Sequence, residues 1–543
     1  MSTVPGAFRR AFATLVLAFV ALLLQSTAWA AVAPATVRIH YNRTDGTAAT
    51  WQLYHWYGSL FPSANWVPAQ AIDGTDSFGV YYDVPVKLTD SGLNWILHDA
   101  TGSQKNCPDD RFFPFPPTIA TTGVDIWQLQ DDCTIYTSQP AIKVGDVAKA
   151  KAYFVNHSTI AWPGAGSGNT YKFFYSPTGG ISSGVDGVAG GQSFDLAFSG
   201  PVGAPIVAKF PQLAGAGALT IGAADLAKVP ALLRGQMVVA KYDGSQLIDA
   251  TALQIPGVLD ELYPYDGPLG ASMGSDGAGA PSFRVWAPTA KSVRVMLFDG
   301  PTSAASSVLS MSFNAATGVW SAPALAAWFQ SANHPMYYQY EVTVFVRSTG
   351  QVETNLVSDP YSLGLSVNGS RSLVVDLDSP QTRSSLWQHS RLAPLAAPED
   401  IVLYELHPRD FSASDMSVPA ADRGKFRAFT YSNTTGMAHL RSLQQAGLTH
   451  LHLLPTFDIS SVPETGCVTP TVPAAAPDST AQQAAIGAVR DSDCFNWGYD
   501  PVHYTVPDGS YASNPNGVAR IVEFRDAVRS LHANGLRVVM DVV

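Results

Sequence analysis

The sequence predicts a multidomain, mostly β chain that closes with the opening of a parallel α/β domain. Three observations lead there. A length of 543 residues exceeds one domain and sets a prior of roughly three to five. Two blocks, 36–136 and 282–378, alternate apolar and polar residues in short runs broken by turn residues, the pattern of half-buried strands. From Asp400 the texture changes to strand, helix, strand, helix, strand, the start of an α/β barrel or an open parallel sheet.

Each segment has its own reason. Arg9 and Arg10 precede an apolar run at 11–24 and the small-residue triplet Ala28-Trp29-Ala30. That is a secretion signal, 1–30, with a mature start near Ala31; the run is short for a membrane span of about 20 residues. Residues 31–138 then read as an all-β sandwich, with V-R-I-H-Y, the turn N-R-T-D-G and W-Q-L-Y-H-W in succession. Residues 139–265 mix strands such as Y-K-F-F-Y with short Ala/Leu-rich helical stretches, giving a mixed α/β middle domain. A Gly-rich linker opens 266–380, whose alternating runs predict a second β-sandwich of about 100 residues. In 400–543, the strands are expected at 401–405, 448–455 and 536–543, the helices at 437–445 and 518–533. Gly447 and Gly535 stop the two helices. A complete barrel needs about 250 residues, and a strand such as L-R-V-V-M-D-V-V calls for neighbours on both sides. The chain therefore reads as the amino-terminal part of a longer protein, truncated after about three strands.

Composition narrows the function. The net charge is −11 without a long basic run, which argues against nucleic acid, whose phosphates need Lys or Arg. Twelve Trp, 21 Tyr and 25 Phe are mainly core material, but a pyranose face also needs a flat aromatic platform. In a strand, residues two apart share a face, so Tyr54 and Trp56 can form one, with Trp95 or His98 extending it; Trp51 is as well suited to the core. The four cysteines allow three pairings. Export permits disulfides, and placing each pair within one segment gives Cys107 with Cys133 and Cys467 with Cys494. Each closure is worth about 3–4 kcal/mol in the chain-entropy picture.

Five stretches carry a resemblance: Tyr404-Glu405-Leu406-His407; Arg423-Gly424-Lys425 with Ala428-Phe429-Thr430; T-H-L-H-L-L-P-T-F at 449–457; Phe495-Asn496-Trp497-Gly498-Tyr499-Asp500-Pro501; and the V-V-M-D-V-V run at 538–543. Together they resemble the type I pullulanases, secreted alpha-1,6-glucan debranching enzymes of the alpha-amylase superfamily. The fourth stretch is similar to the family's Y-N-W-G-Y-D-P, with Phe495 replacing the first Tyr. Pro408 departs from the family's H-V-R-D or H-I-R-D.

The resemblance implies a carbohydrate-binding first sandwich, an accessory second sandwich in which Trp286 is core, and the first part of a (β/α)8 barrel. It implies Tyr499 as the wall of the −1 subsite, Asp500 as an anchor of the same loop through a later arginine, and Asp541 as the organiser of the pocket floor. Lys105 falls where the family places a Lys followed by Asp; Asn106 takes the Asp position. The retaining chemistry needs two carboxyl groups about 5–5.5 Å apart, which the resemblance puts beyond Val543, so no residue here is catalytic. Glu405 and Asp410 lie by the first strand, where the family keeps no acids. No cofactor is required; calcium near the barrel is compatible with the superfamily.

The expected activity of the full-length protein is hydrolysis of alpha-1,6 branches in pullulan, starch or glycogen, by a secreted, periplasmic or cell-surface monomer. The alternatives are an alpha-1,4-acting amylopullulanase relative and a non-catalytic secreted alpha-glucan-binding protein. Alone, residues 31–380 are expected to be soluble and the part from 400 onward to be aggregation-prone.

Overall fold

A computed structural model of the chain describes residues 32–543, apart from 45–46, 141, 143, 273–281, 324–335, 384–386 and 388–389. The expected secretion signal and most of the Gly-rich linker lie outside the described residues. Among the described residues no helix is long and apolar enough to cross a membrane. The chain divides into two compact units. One runs to Val147 and takes in Ser182–Ala189 and Lys241–Ala250; the other is the remainder.

The first unit is built on a two-sheet sandwich. Thr36–Asn42 pairs antiparallel with Val80–Pro85 and parallel with Val124–Leu129. The facing sheet holds Gln52–His55, Gly92–His98 and Arg111–Pro114. Alternation explains the core: Val37, Ile39 and Tyr41 of one sheet and Leu53, Leu93, Trp95 and Leu97 of the other pack in one buried cluster, joined by Trp51. Cys107 and Cys133 form a disulfide across 26 residues of sequence.

In the middle segment the expectation of a mixed α/β domain is corrected. Its strands form a closed β barrel in the order Thr170–Ser176, Gln192–Pro201, Gly217–Ile221, Thr159–Trp162, Asp146–Asn156, Gln246–Gln254, Gln236–Asp243. The Ala/Leu-rich stretches are only short helices, Ala204–Lys209, Val229–Leu232 and Pro256–Leu262. Phe154, Trp162, Tyr171 and Phe173 fill the interior, and Trp286 leans on that core with its indole N–H donated to the Tyr263 carbonyl at 3.0 Å.

The second sandwich follows, with Ser282–Trp286 and Val319–Pro323 in one sheet and Ser292–Phe298, Tyr337–Val346 and Gln351–Val357 in the other. Then come three parallel strands, Leu403–Leu406, His450–Leu453 and Arg537–Met540, in that order. The connecting helices are Thr435–Gln445 and Ala519–Ala533. Both end alike: Gly447 and Gly535 take positive φ, and the next amide reaches back to the carbonyl of Leu443 or Leu531, the Schellman closure. Leu403–Leu406 is largely exposed and Arg537–Met540 half-buried; among the described residues they are the two outer strands of this sheet.

Candidate functional site

Two groups of side chains answer the sequence expectations, one in each unit. In the first, Gln52–His55 pairs with Gly92–His98 so that Tyr54 opposes Ile96. Tyr54 and Trp56 project together, with ring centroids 5.5 Å apart and planes 33° apart. Trp66 joins them edge-on, 5.2 Å from Tyr54. Its far side stacks on His98 at 4.1 Å, and its indole N–H is fixed by the Gly102 carbonyl at 3.2 Å. The Lys105 ammonium stands 5.5 Å from the Trp66 ring. Trp66 escaped the sequence reading because it sits in an irregular segment, Phe61-Pro62-Ser63-Ala64-Asn65-Trp66-Val67-Pro68, without strand alternation.

Two expectations here are corrected. Trp95 is fully buried, with its indole N–H on the Gln128 side chain at 3.1 Å. His98 is buried too, behind Trp66, so neither extends the platform. Asn106 is also interior. It accepts from Tyr41 Oη at 2.8 Å and from the Asp131 amide at 2.9 Å, and it donates to the Leu129 carbonyl at 3.0 Å.

The second group lies at the carboxyl ends of the parallel strands. Register aligns Glu405, His452 and Val539 across the sheet, and Asp541 follows two residues on, past the strand end. The His452 ring bridges the two carboxylates, with Nδ1 3.6 Å from Glu405 and Nε2 3.9 Å from Asp541. His452 was not singled out from sequence; its signal was the alternation H-L-H-L, which puts His450 and His452 on one face. Tyr499 Oη donates to Asp541 Oδ2 at 2.5 Å, and that bond raises the Tyr499 pKa.

The Asn496–Asp500 turn holds Tyr499 there. Asn496 Oδ1 accepts the Gly498 amide at 2.9 Å. Gly498 has φ +91°, and a Cβ there would lie 2.9 Å from the Pro455 carbonyl, so only glycine fits. His407 ties the turn to the first strand: its Nε2 meets the Asn496 carbonyl at 2.8 Å, while Nδ1 faces the amides of Arg409 and Asp410 at 3.2 and 3.4 Å. Burial lowers the His407 pKa, and the bond to Asn496 opposes that. Asp500 Oδ1 is buried without a hydrogen-bond partner. Cys494, bonded to Cys467, enters the turn from the long insertion between the second parallel strand and the second helix, 454–518.

Among the described residues, Asp458, Glu464 and Asp508 are the candidate for calcium, since their carboxylates converge within 4.8 Å. They do not fit an ion. Arg520, fully buried, meets both Glu464 oxygens at 2.9 Å. Glu464 also accepts the amides of Gly509 and Asn368 at 2.7 and 2.6 Å, and Asp458 Oδ2 faces His503 Nδ1 at 2.6 Å. Asp508 accepts from the Ile459 and Ser510 amides, each at 2.8 Å. Burial first, and Glu464 second, push its pKa up to about 7. A cation would have to displace a guanidinium that already serves as the countercharge. The cluster locks the insertion to the second sandwich, through Asn368 and through Ser358, which contacts His503 Nε2 at 2.9 Å.

Known proteins resemble this chain domain by domain. Residues 35–137 match the Bacterial pullanase-associated domain, 149–261 the Pullulanase N2 domain, and 268–362 Carbohydrate-binding module 48 (Isoamylase N-terminal domain). Pullulanase 1, chloroplastic, of Arabidopsis thaliana is 39% identical over 426 residues, 76% of this chain and 41% of its own length. The pullulanase of Klebsiella pneumoniae is 31% identical over 534 residues, 89% and 47% of the two. Among solved structures, ligand-free PulA of Klebsiella pneumoniae superposes with TM-score 0.79 at 27% identity, over 95% of this chain and 53% of that one. The Klebsiella pneumoniae pullulanase complexed with maltotriose does so with TM-score 0.69 over the same shares. The chain thus spans about half the length of these relatives. A β-rich multidomain chain with a module of this carbohydrate-binding type is the class these observations define. In particular, the chain carries the domains of a pullulanase-type amino-terminal part.

Proposed function

We propose that the whole protein hydrolyses alpha-1,6 linkages in pullulan, starch or glycogen by a retaining mechanism, outside the cytoplasm. The three parallel strands are then the opening of a (β/α)8 barrel. Their carboxyl ends, where barrels build active sites, supply one side of the cleft. The observation that carries this reading is the 2.5 Å bond from Tyr499 to Asp541. It holds an aromatic ring, 40% exposed, over the strand ends, where a glucosyl unit distorting toward an oxocarbenium-like state needs a flat wall. The partnerless Asp500 oxygen supports its role as an anchor awaiting a cationic donor, since buried carboxylates are normally paired. Nucleophile and acid/base belong to later strands.

Tyr54, Trp56, Trp66 and Lys105 form the glucan platform of the first unit. The maltotriose complex of the Klebsiella relative supports an alpha-glucan as the ligand. The test combines pull-down on insoluble starch with reducing-sugar release from pullulan. The expected result is that the chain is retained on starch, is released by Trp56→Ala, and liberates no reducing ends. Retention despite Trp56→Ala overturns the platform; turnover by this chain overturns the placement of the acids.

A further inference from the structure

Side chains alternate along Gln52–His55, so Tyr54 and His55 leave the strand on opposite faces. The platform takes Tyr54. The His55 side opens onto a second concavity of about 380 Å³, lined by His55, Phe61, Ser63, Gln70, Asp83 and Pro85. That volume falls in the range of about 300–1,000 Å³ typical of small-molecule sites. Its chemistry is specific. His55 is 5% exposed, and its Nδ1 has no hydrogen-bond partner. Burial lowers the His55 pKa, and a bond to the Gln70 side chain opposes that, so the imidazole is a neutral polar part of the wall.

The rest of the wall is fixed and electrically balanced. Asp83 is held by Arg38 through two bonds of 2.7 and 2.8 Å, so its carboxylate is neutralised and offers little to a free cation. Gln70 is held by Asp73 at 2.7 Å and by the Asp83 carbonyl at 3.2 Å. Ser63 Oγ accepts the His55 amide at 3.1 Å. Phe61 presents a ring that is 69% exposed, a large apolar surface at the mouth of the concavity. An open ring, fixed polar groups and no spare charge suit a neutral polyhydroxylated ligand, with C–H groups against the ring and hydroxyls toward the imidazole and carboxylate.

We infer that this pocket is a second sugar subsite of the first unit, on the face opposite the Tyr54–Trp56 platform, and that it takes one alpha-glucosyl unit. The choice of glucose among neutral sugars rests on the function proposed above. Two sites on opposite faces of one strand would let the module grip two glucan segments at once, raising retention on a granule by effective concentration rather than by new contacts.

The test is a maltotriose titration of the chain, followed by histidine imidazole NMR and by tryptophan fluorescence. The His55 resonance is identified by its loss in His55→Gln. Maltotriose is expected to shift that resonance in the unaltered chain and equally in Trp56→Ala, where the platform is disabled. Phe61→Ala, a change at an exposed ring that leaves the fold intact, is expected to weaken the His55 response about tenfold, about 1.4 kcal/mol, and to spare the fluorescence change. An unmoved His55 beside a normal fluorescence change overturns the second subsite and leaves the platform standing. Silence in both signals overturns the two together.

Discussion

His407 shows how one side chain sets the posture of a loop. Its Nδ1 faces two backbone amides, so the ring proton sits on Nε2 and is donated to the Asn496 carbonyl. Protonating Nδ1 would place a third donor against those amides. Burial holds the pKa below its ordinary value, so the unfolded chain takes up a proton first as pH falls. The stabilisation is complete above the unfolded value of about 6.5 and is lost as pH falls from there through the lower folded value. The melting temperature of the parallel-sheet region should therefore drop on mild acidification. His407→Gln, uncharged throughout, should start about 1 kcal/mol less stable and show a shallower fall. Parallel profiles for the two proteins would refute the assignment; the difference profile matters because burial also lowers His450 and His532. The platform makes a second residue-scale prediction. Trp66→Ala should weaken maltotriose binding about as much as Trp56→Ala, about tenfold, since it removes both the edge contact to Tyr54 and the ring beside Lys105. Tyr54 and Trp56 were legible because strand alternation announces a shared face. Trp66 was not, because loop geometry has no period.

At the scale of elements, local signals were readable and closure was not. The stops at Gly447 and Gly535 and the Asn496-Trp497-Gly498 turn follow from backbone chemistry within a few residues, and the structure has them at those positions. Barrel closure in the middle segment depends on pairings far apart in sequence, so short Ala/Leu runs read as a helical layer when they are connectors. Arg520 was equally hidden. An arginine within a fifteen-residue helix reads as solvent-facing, yet it is fully buried against Glu464 of the insertion and also donates to the Ser366 carbonyl at 3.4 Å beside the second sandwich. Breaking such a pair from one side leaves a charge stranded. Arg520→Met should cost about 3–5 kcal/mol, while Arg520→Met with Glu464→Leu should cost less than the sum of the two single changes. Urea unfolding of the four proteins checks this, and strict additivity would mean the ion pair is not the lock.

At the scale of the molecule, the parallel sheet sets the solution behaviour. Parallel strands are usually covered on both faces and flanked on both sides. Here Ile401, Val402, Leu403 and Tyr404 are all exposed, as are Val542 and Val543. Among the described residues, Leu403–Leu406 has a partner on one side only, so its other side presents unpaired backbone groups to any strand that approaches. An exposed apolar edge of this kind associates with copies of itself, and a charged side chain blunts it. Residues 1–543 produced on their own should therefore sediment as larger species as their concentration rises. Leu403→Lys should shift that distribution toward the monomer without changing the melting of the first sandwich, whose core around Ile39 and Trp95 does not involve residue 403. Sedimentation velocity at several concentrations, with and without the substitution, reads the outcome. If Leu403→Lys leaves the distribution unchanged, association does not run through this strand. If the unaltered chain stays monomeric at every concentration, the exposed edge is tolerated.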